Sequence, residues 1–175
     1  MNKRILVIDD QKNILADYES ILCPGTAADE HRLSLTRAAD ELLGMKKTDK
    51  IEEVYEVTTA SQGEEGYKLV CQAVEQDKPF AVAFIDIRMP PGWDGMKTAS
   101  EIRKVDKNIE IVIVTAYSDR DRQEIVKTVG TPEKLLYLKK PFDIEEIKQL
   151  ALSLTEKWRL QRKEKRRRQA FHEPA

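Results

Sequence analysis

Phe80-Ala81-Val82-Ala83-Phe84-Ile85-Asp86 is an apolar run of strand length that ends on an acid. It does not alternate with polar residues, as expected of a strand covered on both faces, the condition of parallel sheets. Reading outward from it, the same kind of run recurs. Upstream stand Ile5 to Ile8, followed by Asp9 and Asp10, and Val54 to Thr59, rich in β-branched and aromatic residues. Downstream stand Ile109 to Val114, followed by Thr115, and Leu135 to Leu138, followed shortly by Lys140 and Pro141. Stretches of helical period lie between them. Ile14, Leu15, Tyr18, Ile21 and Leu22 share one helix face before Cys23, Pro24 and Gly25 stop it. Leu69, Val70, Ala73 and Val74 form another face, Met96, Ala99 and Ile102 a third, and Ile125, Val126 and Val129 a fourth. Strand alternating with helix five times predicts an α/β fold, a doubly wound five-stranded parallel sheet.

Helix starts follow from capping chemistry. Ser61 with Glu64 and Ser118 with Asp121 read as capping pairs, Asp143 with Glu146 opens the last helix, and the helix after the third strand begins near Asp94. Two segments exceed the minimal plan. Residues 24–50 stand where a loop of about 2 to 6 residues would serve. Leu33, Leu35, Ala38, Ala39, Leu42 and Leu43 there predict a helical insertion after the first helix. The last helix carries Ile144, Ile147, Ala151, Leu154 and Trp158 at alternating spacings of three and four, then runs on into Lys163 to Arg168. The expected organisation is a domain over 1–155, with the insertion at 24–50, and a basic helical extension over 156–175.

The chain has 175 residues, 41% of them apolar, enough for one core. Its 30 Lys and Arg against 31 Asp and Glu leave a formal charge of −1, which argues against nucleic acid or membrane as a bulk partner. The apolar runs are far shorter than the roughly 20 residues that span a bilayer. The two acids after Ile8 are unlike a secretory signal. Cys23 and Cys71 lack metal-ligand spacing and read as reduced thiols of a cytoplasmic protein. His31 and His172 have no spaced partner and read as surface residues.

In an open α/β sheet, ligands bind outside the carboxyl ends of the strands. Right-handed connections bring those ends to one edge, and here they are Asp9 and Asp10, Asp86, Thr115 and Lys140. Two unit charges about 4 Å apart interact at roughly 4 kcal/mol for an effective dielectric of 20, so three carboxylates together need compensation. Lys140 supplies part of it, and a hard divalent cation such as Mg²⁺ suits the oxygen ligands. A carboxylate, a cation, an ammonium and a hydroxyl together suit phosphoryl transfer, with the carboxylate as nucleophile. An Asp-Asp pair taken alone is more often a helix cap, but the set at successive strand ends is hard to assemble by coincidence.

Ile8-Asp9-Asp10, Asp86-Ile87-Arg88-Met89-Pro90, Val114-Thr115-Ala116 and Lys139-Lys140-Pro141-Phe142, in that order, resemble the receiver domain of two-component response regulators. The resemblance implies a flavodoxin-like strand order, 2-1-3-4-5. It implies that Asp86 accepts phosphoryl from the His of a partner sensor kinase or phosphotransfer protein. Mg²⁺ would be held by Asp10, by Asp9 partly through water, by Asp86 and by the Arg88 carbonyl. Lys140 would contact the phosphoryl group, with Thr115 the switch hydroxyl and Tyr137 the switch aromatic. The Lys140–Pro141 bond would be cis. Arg88 and Tyr117 stand at positions that tune acyl-phosphate hydrolysis, and their bulk points to slow hydrolysis. Between Pro90 and Gly95 the loop reads Pro91-Gly92-Trp93-Asp94, one residue longer than the commonest receiver loop, and resembles receivers of hybrid sensor kinases. Trp93 has a simpler reading as a cover for that loop.

Two rival functions stand beside this one. A Mg²⁺-dependent aspartyl-phosphate phosphohydrolase would need an acid two residues after the nucleophile, where Arg88 stands. A pseudo-receiver scaffold that never takes phosphate would not need the whole set of five. For the tail, the first reading is a solvated helix or one leading into a following domain. A homodimer through the helix comes second, because the stripe covers only about two heptads of the three or four a seam needs. Nucleic acid binding comes last, for want of aromatic interleaving.

Overall fold

The computed structural model describes residues 2–24, 53–116 and 122–170. The helix expected within 24–50, the Ser118 and Asp121 caps, Tyr117, His31 and His172 lie outside the described residues. In chain order the elements are β1 (Arg4–Ile8), α1 (Lys12–Leu22), β2 (Glu56–Ala60), α2 (Gly63–Glu75), β3 (Val82–Asp86), α3 (Gly95–Val105), β4 (Glu110–Thr115), α4 (Arg122–Val129), a 3₁₀ turn (Pro132–Lys134), β5 (Leu135–Lys139) and α5 (Ile144–Ala170). The strands pair in parallel in the order β2-β1-β3-β4-β5.

Successive strand side chains point to opposite faces, so each strand serves two cores. Leu6, Ile8, Ala83, Ile85, Ile111 and Ile113 pack with α2, α3 and α4 on one face. Ile5, Val7, Val82, Phe84, Val112 and Val114 pack with α1 and α5 on the other. β3 is buried at every position, which is the double coverage its unbroken apolar run implied. Each large side chain removed from water here contributes about 1.5 to 3 kcal/mol.

Most boundaries fall within two residues of expectation, and the differences have local causes. Asp94 caps α3 by accepting the Lys97 N–H at 2.8 Å. Asp143 and Glu146 both cap the start of α5: the Asp143 N–H donates to Glu146 Oε2, and Asp143 Oδ1 accepts from the Glu145 N–H, each at 2.9 Å. The Ser61 cap differs: its backbone N–H and hydroxyl both donate to Glu65, at 2.8 and 3.0 Å, rather than to Glu64, and Gln62 holds the N-cap position. α5 passes unbroken through the 155/156 boundary to Ala170. Four members of its apolar stripe, Ile147, Ala151, Leu154 and Trp158, are buried in the domain's own core, while Ile144 is exposed. The stripe is therefore spent within the chain and does not form a free seam between copies.

Candidate functional site

Asp9 follows β1, Asp86 ends β3, Thr115 ends β4 and Lys140 follows β5, so parallel pairing brings all four strand ends to one edge. Asp9 and Asp86 are buried, and Asp10 is half-buried. One carboxylate oxygen from each of Asp9, Asp10 and Asp86 lies within 4.8 Å of the others. Lys140 Nζ donates to Asp9 Oδ2 at 2.8 Å and to Asp86 Oδ1 at 2.7 Å. The remaining oxygens of both acids are held by the backbone: Gln11 N–H donates to Asp9 Oδ1 and Arg88 N–H to Asp86 Oδ2, each at 2.9 Å. Such charge-assisted bonds fix the carboxylates' orientation.

The electrostatics remain unbalanced. Burial pushes the Asp86 carboxyl above the usual aspartate range, and the opposing pull of Lys140 does not fully offset it. Burial disfavours the Lys140 ammonium, but its bonds to Asp86 and Asp9 outweigh that and hold it above the ordinary lysine value. One ammonium thus faces three acids. Asp10 Oδ1 is buried without a hydrogen-bond partner among the described residues. A buried acceptor of this kind carries a penalty unless something binds it. Three convergent carboxylates, one of them with an oxygen that has no partner among the described residues, fit a hard divalent cation.

Around this centre the backbone is tightly set. Lys140 N–H donates to the Thr115 carbonyl at 2.8 Å, tying the ends of β4 and β5 together, and the Lys140–Pro141 bond is cis, as is Pro90–Pro91. The Thr115 hydroxyl donates to the Ala116 carbonyl at 2.8 Å. Tyr137 is half-buried against the core face formed with α2, α3 and α4. Arg88 is exposed beside Asp86. Trp93 packs against Tyr67, ring centroids 5.7 Å apart, with Lys97 Nζ 4.4 Å over its indole, so it covers the long loop as the simpler reading has it.

Two supporting residues carry little signal in the sequence. A Cβ on Gly95 would lie 2.1 Å from the Asp86 carbonyl oxygen, so only glycine lets α3 start this close to the site. Tyr18 lies under the acidic pocket between Phe84 and Phe142, its rings 5.2 and 5.4 Å from theirs. Its hydroxyl is buried with no partner among the described residues, and burial, with Asp9 and Asp86 nearby, pushes its pKa upward. In the sequence it reads as one apolar helix position among five.

Comparison with known proteins agrees with this arrangement. Residues 28–152 match the model of the response regulator receiver domain. Sporulation initiation phosphotransferase F of Bacillus subtilis (strain 168) is 27% identical over 148 residues, 85% of this chain and 90% of that protein. Among solved structures, an adenylate cyclase from Rhodopirellula baltica aligns at TM-score 0.65 and 22% identity, covering 95% of this chain and 96% of that one. A CheY-like receiver domain protein from Methanospirillum hungatei JF-1 aligns at TM-score 0.59 and 23% identity, covering 94% and 99%. These two likenesses concern the fold. The family match spans most of the chain, and the buried acids, lysine and hydroxyl converge at its strand ends; the chain belongs to the response regulator receiver domain family and has a phosphoacceptor role in signalling.

Proposed function

We propose that Asp86 is the phosphoacceptor, taking phosphoryl from the phosphohistidine of a sensor kinase or phosphotransfer protein. The observation that carries this reading is the ammonium of Lys140 bonded at once to Asp86 and Asp9, in a cluster with Asp10, one of whose oxygens has no partner among the described residues. An Asp86 oxygen attacks phosphorus in line, the P–N bond to the imidazole breaks as the P–O bond forms, and the imidazole leaves. Lys140 shifts from Asp86 to a phosphoryl oxygen and offsets its charge. Mg²⁺, held by Asp10, Asp9, Asp86 and the Arg88 carbonyl, supplies the remaining neutralisation when bound.

The output is a population shift. Thr115 exchanges its bond to the Ala116 carbonyl for one to the phosphoryl group, and Tyr137 follows into the space beside it. The chain acts as a switch rather than a turnover enzyme: the phosphohydrolase alternative needs an acid where Arg88 stands. Arg88, exposed beside the acceptor, slows the approach of water, so the acyl phosphate is shorter-lived in Arg88→Ala, followed by loss of label over time. In this reading 1–155 is the receiver and 156–175 its extension. No helix among the described residues is long and apolar enough to cross a membrane, which accords with a cytoplasmic place. Any homodimer through α5 uses its outer face, where Leu152 and Leu160 are exposed, because the inner stripe is spent.

Beryllofluoride, a phosphoryl mimic, tests the assignment. A ligand that binds only the folded state raises the unfolding midpoint. Beyond any rise from Mg²⁺ alone, the midpoint should rise further when beryllofluoride is added with Mg²⁺, and this further rise should be absent without Mg²⁺ and in Asp86→Asn. No further rise, or an equal one in the variant, contradicts the assignment.

A further inference from the structure

On the side of the domain opposite the Asp86 edge, α5 runs past the N-terminal ends of the strands and encloses a groove of about 680 Å³. That volume lies within the roughly 300 to 1,000 Å³ typical of small-molecule sites. Arg4 at the start of β1 and Lys78 and Pro79 before β3 form one wall, and α5 from Trp158 to Arg167 forms the other. The phosphoacceptor chemistry uses none of these residues.

Among the described residues the charge of the groove is largely uncompensated. Lys78, Lys163, Arg166 and Arg167 line it, and none has an ion-pair partner among the described residues. Asp77, the one carboxylate among the lining residues, is engaged by Arg162 at 3.1 Å. Arg162 also lies 5.0 Å over the Trp158 ring. Trp158 is 6% exposed, and its indole N–H has no acceptor among the described residues. The groove is held in shape from both sides: Arg162 ties α5 to Asp77, and Lys157 ties it to the buried Glu110 at 2.8 Å.

Closely set cations repel one another, and a ligand with several adjacent negative charges relieves that repulsion. Arginine forks match phosphate oxygens. The Arg162 guanidinium, backed by the Trp158 ring, offers a flat outer face for a planar base, which bare phosphate would not use. A long nucleic acid fits less well, because residues 1–155 carry a net charge of −6 against +5 on the last twenty. We propose that the groove binds a nucleotide bearing two or more phosphate charges, with the phosphates on Lys163, Arg166 and Arg167 and the base along the Arg162–Trp158 stack.

The full chain has two tryptophans, so Trp93→Phe leaves Trp158 as the only one, a reporter in the groove itself. ATP, cyclic di-GMP and inorganic tripolyphosphate are titrated separately at ~0.15 M salt, where long-range attraction is largely screened. Saturable change in Trp158 emission with ATP or cyclic di-GMP supports the proposal, and the tighter of the two identifies the nucleotide. Affinity should fall at least about tenfold when Lys163, Arg166 and Arg167 are all changed to Gln, with the unfolding midpoint unchanged, since all three are exposed. No response to either nucleotide at about 1 mM overturns it. So do tripolyphosphate binding as tightly as the nucleotides, undiminished binding by the triple variant, or tighter binding of a short DNA duplex. The phosphoacceptor assignment is unaffected by any of these results.

Discussion

At the scale of single residues, the site depends on side chains that do no chemistry. A Cβ on Gly95 would meet the carbonyl of Asp86 itself. Gly95→Ala must therefore push α3 away or move the end of β3, an overpacking worth about 1 to 3 kcal/mol in a packed setting. The expected outcome is that loss of stability in urea denaturation, together with slower phosphoryl uptake. Wild-type stability would show that the backbone there yields freely. Tyr18 makes the opposite case. Its buried hydroxyl has no partner among the described residues, so Tyr18→Phe removes a desolvated polar atom while keeping the ring between Phe84 and Phe142. The variant should be as stable as wild type or up to about 1 kcal/mol more stable, measured by the urea midpoint. A clear loss of stability would mean that the hydroxyl is bonded in solution.

Elements show where sequence reading succeeds and where it stops. β3 was legible because a run with no polar interruption allows few other placements, and α3 because Asp94 is followed by an amphipathic face. Asp9, Asp10, Asp86, Thr115 and Lys140 could be grouped because parallel strands share a polarity, so their ends share an edge. Ser61 shows the limit: Glu64 and Glu65 are neighbours, and only the helix phase decides which one turns back to the cap. Glu110 was invisible as an anchor. It is an acid at the first position of β4, fully buried, with Lys134 at 3.2 Å and Lys157 at 2.8 Å. Its partners come from a 3₁₀ turn and from α5, and no local pattern joins residues so far apart in the chain.

That anchor supports a prediction at the level of elements. Glu110→Gln leaves two ammonium groups without their carboxylate. Breaking a fully buried pair costs about 3 to 5 kcal/mol, and because Lys134 and Lys157 keep some contact with water, about 2 to 3 kcal/mol is expected here. Amide exchange should rise along α5 beyond Lys157 while β1 and β3 stay protected. Uniform loosening of the whole domain would show that Glu110 serves the core and not the helix.

For the whole molecule, the formal charge of −1 conceals a division between an acidic domain and a basic helix end. The acidic excess includes the pocket at Asp9, Asp10 and Asp86, and the basic end lines the groove on the far side of the sheet. Strand topology separates these two regions, one at the carboxyl ends of the strands and the other beyond their N-terminal ends. The central claim is that Asp86 is the single phosphoacceptor of this receiver. Intact mass spectrometry after incubation with acetyl phosphate and Mg²⁺ tests it most directly. One phosphoryl adduct is expected on the wild-type chain, lost when EDTA replaces Mg²⁺ and absent from Asp86→Asn. An adduct that persists in Asp86→Asn, or a wild-type chain that takes none, would contradict it.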